Sequence, residues 1–129
     1  MQTTQHTLKF NKKERLKSEI IIADLFRLGK SRSHDCVRMV YLYPYEELPF
    51  EVQVMFSVPK KNFKKAINRN LLKRRMREAY RLNKFELINF FTEKEIKIVI
   101  AFLYIDIEIK SYSEIEKSVK YLLKSLLTK

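Results

Sequence analysis

The stretch from Lys60 to Lys84 limits what this chain can become more than any other part of it. It holds 11 Lys or Arg residues and one acid, Glu78, and so carries +10. The whole chain carries +12, from 27 bases and 15 acids, which leaves only +2 elsewhere. Charge this local marks a face, and a basic face is the footprint of a polyanion partner. At about 100° per residue, Asn70, Lys73, Arg74, Arg77 and Arg81 fall within one arc of about 100°. Leu72, Met76, Ala79 and Tyr80 gather on another side. The spacing predicts an amphipathic helix whose polar face is almost pure cation. Like charges at i, i+4 repel by a few tenths of a kcal/mol per pair, and solvated helix faces usually interleave acids. A polyanion accounts for both facts; the alternative is an ordinary solvated face.

The bulk numbers bound the rest. A chain of 129 residues makes one domain, 1–129, with a modest core, and 46% hydrophobic content argues against disorder. The longest apolar run, Ile98 to Ile105, is eight residues, against about 20 for a membrane span. The N-terminal segment lacks the apolar core of a signal peptide, so the expectation is neither export nor insertion. A single cysteine, Cys36, rules out an intramolecular disulfide and a Cys-rich zinc site. That fits a reducing cytoplasm, with Cys36 as a small core residue at a strand start. The single glycine, Gly29, leaves no Gly-rich loop to cradle a nucleotide phosphate.

In chain order, residues 1–11 read as an extended, flexible arm with Phe10 as its anchor. Ser18 can cap a helix carrying Ile21, Ile22, Leu25, Phe26 and Leu28, which stops at Gly29. Lys30 to Asp35 reads as a polar loop. Val37 to Tyr43 alternates, with Val37, Met39, Tyr41 and Tyr43 on one face. After Pro44 and a turn, Glu51 to Val58 alternates again, with Val52, Val54, Phe56 and Val58 inward. These two strands are expected to form an antiparallel, hairpin-like pair. The basic helix follows, then a short helical stretch from Phe85 to Phe91. Ile96 to Ile105 is apolar throughout, hence a central strand buried on both faces. Ser113 and Glu116 read as the capping box of a last helix with Ile115, Val119, Leu122, Leu123 and Leu126 as its stripe. The order is α-β-β-α-β-α: a small α+β (α/β) two-layer sandwich, with helices packed on a mixed sheet.

Self-sufficient nuclease chemistry needs a metal cluster or an activated nucleophile. His6 and His34 lie far apart, in arm and loop, and no Asp-x-Asp or His-x-x-x-His spacing occurs. Asp106 and Glu108 read as solvated strand ends. The catalytic and metal-ligand sets are therefore empty, no cofactor is expected on the chain, and the chain reads as a binder.

Phe56-Ser57-Val58-Pro59-Lys60-Lys61, followed by Ala66-Ile67-Asn68-Arg69-Asn70-Leu71-Leu72-Lys73-Arg74-Arg75-Met76-Arg77-Glu78-Ala79, resembles the signature of the bacterial ribonuclease P protein component. The resemblance extends more weakly to Arg15-Leu16-Lys17 and to the last strand and helix. Leu71 stands where that family carries arginine, Met55 where it often carries glycine, and the Lys61–Ala66 segment lacks a family glycine and is longer. The resemblance implies a left-handed βαβ crossover. It also implies a ribonucleoprotein hydrolase whose RNA subunit, with bound Mg2+, is the catalyst. That endonuclease trims the 5′ leader from precursor tRNA. Carried over by position, Lys60, Lys61, Arg69, Asn70, Lys73, Arg74, Arg77 and Arg81 would meet RNA, and Ile22, Phe26 and Tyr41 would line a cleft for the leader. The alternative for those last three is a place in the core. The implied partners are the ribonuclease P RNA and precursor tRNA, in the cytoplasm, with no membrane and no protein partner. Rival readings are a ribosome-associated or other structured-RNA-binding protein without a nuclease role, or a DNA-binding protein using the basic helix.

Overall fold

The computed structural model describes residues 9–127. Most of the expected arm, residues 1–8, lies outside the described residues. The fold is built on a four-stranded sheet ordered β1-β2-β4-β3, from β1 (Lys30–His34), β2 (Val37–Leu42), β3 (Val52–Ser57) and β4 (Ile98–Tyr104). Among the described residues four α-helices pack around it: α1 (Glu19–Leu28), α2 (Ala66–Asn83), α3 (Phe85–Lys94) and α4 (Tyr112–Ser125). The neighbours β1–β2 and β2–β4 are antiparallel, and β3–β4 is parallel.

Alternation divides the core in two. Val37, Met39 and Tyr41 of β2, Val52 and Val54 of β3, and Ile98, Ile100, Phe102 and Tyr104 of β4 meet α2, α3 and α4 on one face. Val40, Val99 and Ala101 meet Leu16, Leu25 and Leu48 on the other, beneath α1. Leu42, Met55 and Leu103 are only half-buried there, so α1 leaves part of this face open. The continuous apolar run of β4 is explained by its place: it is central, and both its faces are covered.

Two expectations fail for one reason. β2 and β3 do not pair with each other; β4 lies between them. The antiparallel partner of β2 on its other side is β1, the segment read as a loop. Lys30–His34 carries no hydrophobic alternation because it is an exposed edge strand. Main-chain pairing with β2 alone defines it, across a tight turn at Asp35, whose φ of 49° an aspartate tolerates. The last helix starts two residues earlier than expected. Ser111 Oγ accepts from the Glu114 N–H at 3.2 Å, and Glu114 Oε1 accepts from the Ser111 N–H at 3.1 Å. The same Ser-x-x-Glu spacing occurs twice, and Glu116 is instead held by Asn83.

Other expectations stand. Ser18 Oγ accepts from the Ile21 N–H and starts α1. Gly29 ends that helix in extended backbone, and it must be glycine because a Cβ there would meet the Leu25 carbonyl oxygen at 2.5 Å and that of Tyr41 at 2.8 Å. Phe10 does anchor its segment, edge-on to Phe56 and Tyr80. Cys36 is buried at the strand start, its sulfur 3.7 Å from Ser118 Oγ.

Candidate nucleic-acid interface

α2 sits where it does because Leu72, Met76, Ala79 and Tyr80 are fully buried against the sheet and α4. At about 1.5–3 kcal/mol for each large side chain, that burial fixes which way the opposite face points. The basic residues then separate into two groups.

The first group is held by the protein. Arg69 Nη1 donates to the carbonyls of Phe63 and Lys64 at 2.8 and 2.9 Å, and so closes the loop that enters α2. That loop is pinned by Phe63, which is buried edge-on to Tyr104. Arg75 donates to the Lys110 carbonyl and ties α2 to the β4–α4 connection. Arg81 forks onto Glu78, with Nε–Oε1 at 3.0 Å and Nη2–Oε2 at 2.6 Å. That contact raises the arginine's pKa and lowers the glutamate's. Lys84 is 1% exposed, with Nζ 2.8 and 2.9 Å from the two carboxylate oxygens of Glu14, itself 2% exposed.

The second group is not held. Lys73, Arg74 and Arg77 make no hydrogen bond or ion pair among the described residues. Burial, then the nearby charges of Arg15 and Arg74, pull the Arg77 guanidinium below its usual pKa. Cations crowd here with no acid between them. Lys60 and Lys61 are exposed at the approach to the helix, and Asn70 on its second turn.

A groove of about 450 Å3 runs between α2 and the segment Arg15–Lys17. That segment pairs with the outer edge of β3, the Leu16 N–H donating to the Val54 carbonyl at 3.0 Å. Arg15, Lys17, Lys73 and Arg77 rim the groove; Phe10, Met55 and Phe56 contribute its apolar floor. Arg15 and Lys17 were not among the residues expected to bind. Their signal was present in Arg15-Leu16-Lys17, where buried Leu16 separates two exposed cations.

The three cleft residues do not come together. Ile22 is half-buried against the α1-side cluster, and Phe26 is 46% exposed on the same helix. Tyr41 is 6% exposed and belongs to the opposite face, in the core with α2, α3 and α4, beneath the Arg32 guanidinium. A strand alternates its side chains, so an offset of one residue moves an aromatic to the other side of the sheet. On β2, Val40 and Leu42 face α1, and the strand brings no aromatic to that surface.

The fold and this basic groove define an α+β protein of the nucleic-acid-binding class. The comparisons make that specific. The Ribonuclease P family model matches residues 10–127. The ribonuclease P protein component of Porphyromonas gingivalis is 34% identical over 118 residues, covering 92% of this chain and 86% of its own. That of Chlorobium phaeobacteroides is 39% identical over 108 residues, covering 78% and 74%. The Staphylococcus aureus RNase P protein structure aligns at a TM-score of 0.70 with 19% identity, over 88% of this chain and 94% of that one. The Thermotoga maritima structure aligns at 0.66 with 23% identity, over 87% and 96%. The chain belongs to the ribonuclease P protein family. Membership makes it a protein component of a tRNA-processing ribonucleoprotein, partnered with the ribonuclease P RNA. No helix among the described residues is long and apolar enough to cross a membrane.

Proposed function

We propose that the groove between α2 and Arg15–Lys17 holds phosphates of the ribonuclease P RNA, and that the α1 side of the sheet receives the unpaired 5′ leader of precursor tRNA, in the cytoplasm. One observation carries the reading: Lys73, Arg74, Arg77 and Arg15 crowd together without an acid, while Arg69, Arg75, Arg81 and Lys84 are tied to carbonyls and carboxylates. Unpaired guanidinium and ammonium groups are kept apart by repulsion until an anion joins them. Phosphates meet Arg as a fork and Lys as a point charge, and Asn70 can serve a ribose hydroxyl. Lys60 and Lys61 extend the same path. Arg69 acts through the loop it closes, and Arg81 is neutralised by Glu78, so both position rather than bind.

On the α1 side of the sheet, Phe26 offers a ring on which a leader base can stack, and half-buried Ile22 and Leu103 give it an aliphatic floor. Catalysis belongs to the RNA in this reading. Among the described residues, no group of three His, Cys, Asp or Glu side chains is placed to hold a metal ion. In this reading the divalent metal sits with the RNA subunit. What the protein supplies is screening of phosphate charge and a grip on the leader.

The test is reconstitution with a bacterial ribonuclease P RNA at low magnesium. The expected result is faster or tighter cleavage of precursor tRNA than by RNA alone. Cleavage by the protein without RNA, or a ribozyme left unaffected by it, would contradict the reading.

A further inference from the structure

A second basic and aromatic surface lies at the other edge of the sheet. α4 packs one flank against α2 and the other against β1, the strand farthest from β3. On its outer side Tyr121 is 57% exposed. The inner face of its ring stacks on His34 of β1, with centroids 4.1 Å apart and planes at 24°. The ring is thus held flat from behind, and its other face is open. Lys117 and Lys124, both exposed, bracket it at i−4 and i+3, about 6 and about 4.5 Å along the helix axis. The platform cannot drift from the sheet, because Arg32 of β1 donates to the carbonyl and the hydroxyl of Ser125 at 2.7 and 2.8 Å.

We infer that this platform binds unpaired RNA, one base stacking on the open face of Tyr121 while Lys117 and Lys124 contact the phosphates on either side. A base with its flanking phosphates presents a π-face and two anions together, which is what a backed ring between two lysines accepts. An acidic peptide would use the lysines and leave the ring idle. A membrane would need apolar anchors beside the ring, and the exposed residues flanking it on α4 are Lys117, Lys120 and Lys124. The site is separate from the α2 groove, so its RNA segment is a different one, and its test stands independently of the family assignment.

The sequence contains no tryptophan, so Tyr121→Trp places a single indole on the platform and reports on this surface alone, whatever binds at α2. A short oligoadenylate is titrated into that protein, with duplex RNA of equal length in parallel and a thermal melt as the folding control. The expected result is quenching by the oligoadenylate and little by the duplex. Adding Lys117→Ala and Lys124→Ala should lower the salt slope of the quenching titration by about two. Against Tyr121→Trp, Tyr121→Ala should weaken binding of the same oligonucleotide roughly tenfold in a chain already carrying Arg74→Ala and Arg77→Ala. No quenching, equal quenching by duplex, or an unchanged slope overturns the inference. An emission change on raising protein concentration without RNA would instead make the surface an interface between copies, and would also overturn it.

Discussion

At the C-terminal end of α2, Arg81 is forked onto Glu78 and Lys84 is buried against Glu14. In its middle, Lys73 and Arg77 line a groove with no acid in it, with Arg74 close to Arg77. Both regions look alike in the sequence: bases at helical spacing, one face, one turn after another. Their difference is set by what folds against them. An acid one turn away pairs with Arg81, and an acid 70 residues away in sequence pairs with Lys84. Positive charge on a helix is therefore a binding face only where the rest of the chain declines to neutralise it.

The largest test of this contrast is Lys84→Met. It leaves Glu14 buried without its partner, which should cost about 3–5 kcal/mol in urea unfolding. The salt dependence of RNA binding should stay as it was; a slope change of a full unit would mean that Lys84 reaches RNA after all. Next are the two aromatics. Tyr41→Ala opens the core and should cost about 3–5 kcal/mol of stability, with precursor and mature tRNA affected alike. Phe26→Ala should leave the melt near that of the parent and weaken only leader-bearing tRNA, by about 1–3 kcal/mol in holoenzyme binding. If Phe26→Ala weakens both tRNAs equally, α1 is scaffold and the leader lies elsewhere. The smallest effect is expected from Arg81→Ala: no change in RNA salt slope beyond error, measured by titration at several salt concentrations. A flattened slope would show that Glu78 releases Arg81 to the RNA.

Much of this was legible beforehand, and the failures share a physical pattern. Amphipathic periodicity placed α1, α2 and α4, and the unbroken apolar run of Ile98–Tyr104 announced a central strand. Those signals come from burial, which leaves its period in the residue types. β1 was invisible because an exposed edge strand is held by backbone pairing, and Lys30–His34 buries no face that would impose alternation. The β2–β4–β3 order was hidden because pairing partners are a tertiary choice between strands of similar pattern. In the site, the cationic face of α2 was readable. The division of its bases into held and unheld was not, because it depends on Glu14, on the carbonyls of Phe63 and Lys64, and on Lys110. Tyr41 was expected beside α1 and lies on the opposite face of the sheet, because alternate residues of a strand point to opposite sides.

The most direct test of the central claim is the affinity of the protein for the ribonuclease P RNA across salt concentrations, with and without Lys73→Ala and Arg77→Ala. For about six neutralised phosphates, log affinity should fall against log salt with a slope of about −4 to −5. The double variant should flatten that slope by about two, with its thermal melt unchanged or slightly raised by relief of repulsion. A slope that stays the same in the double variant would show these side chains to be solvated, and the groove between α2 and Arg15–Lys17 would not be where the RNA lies.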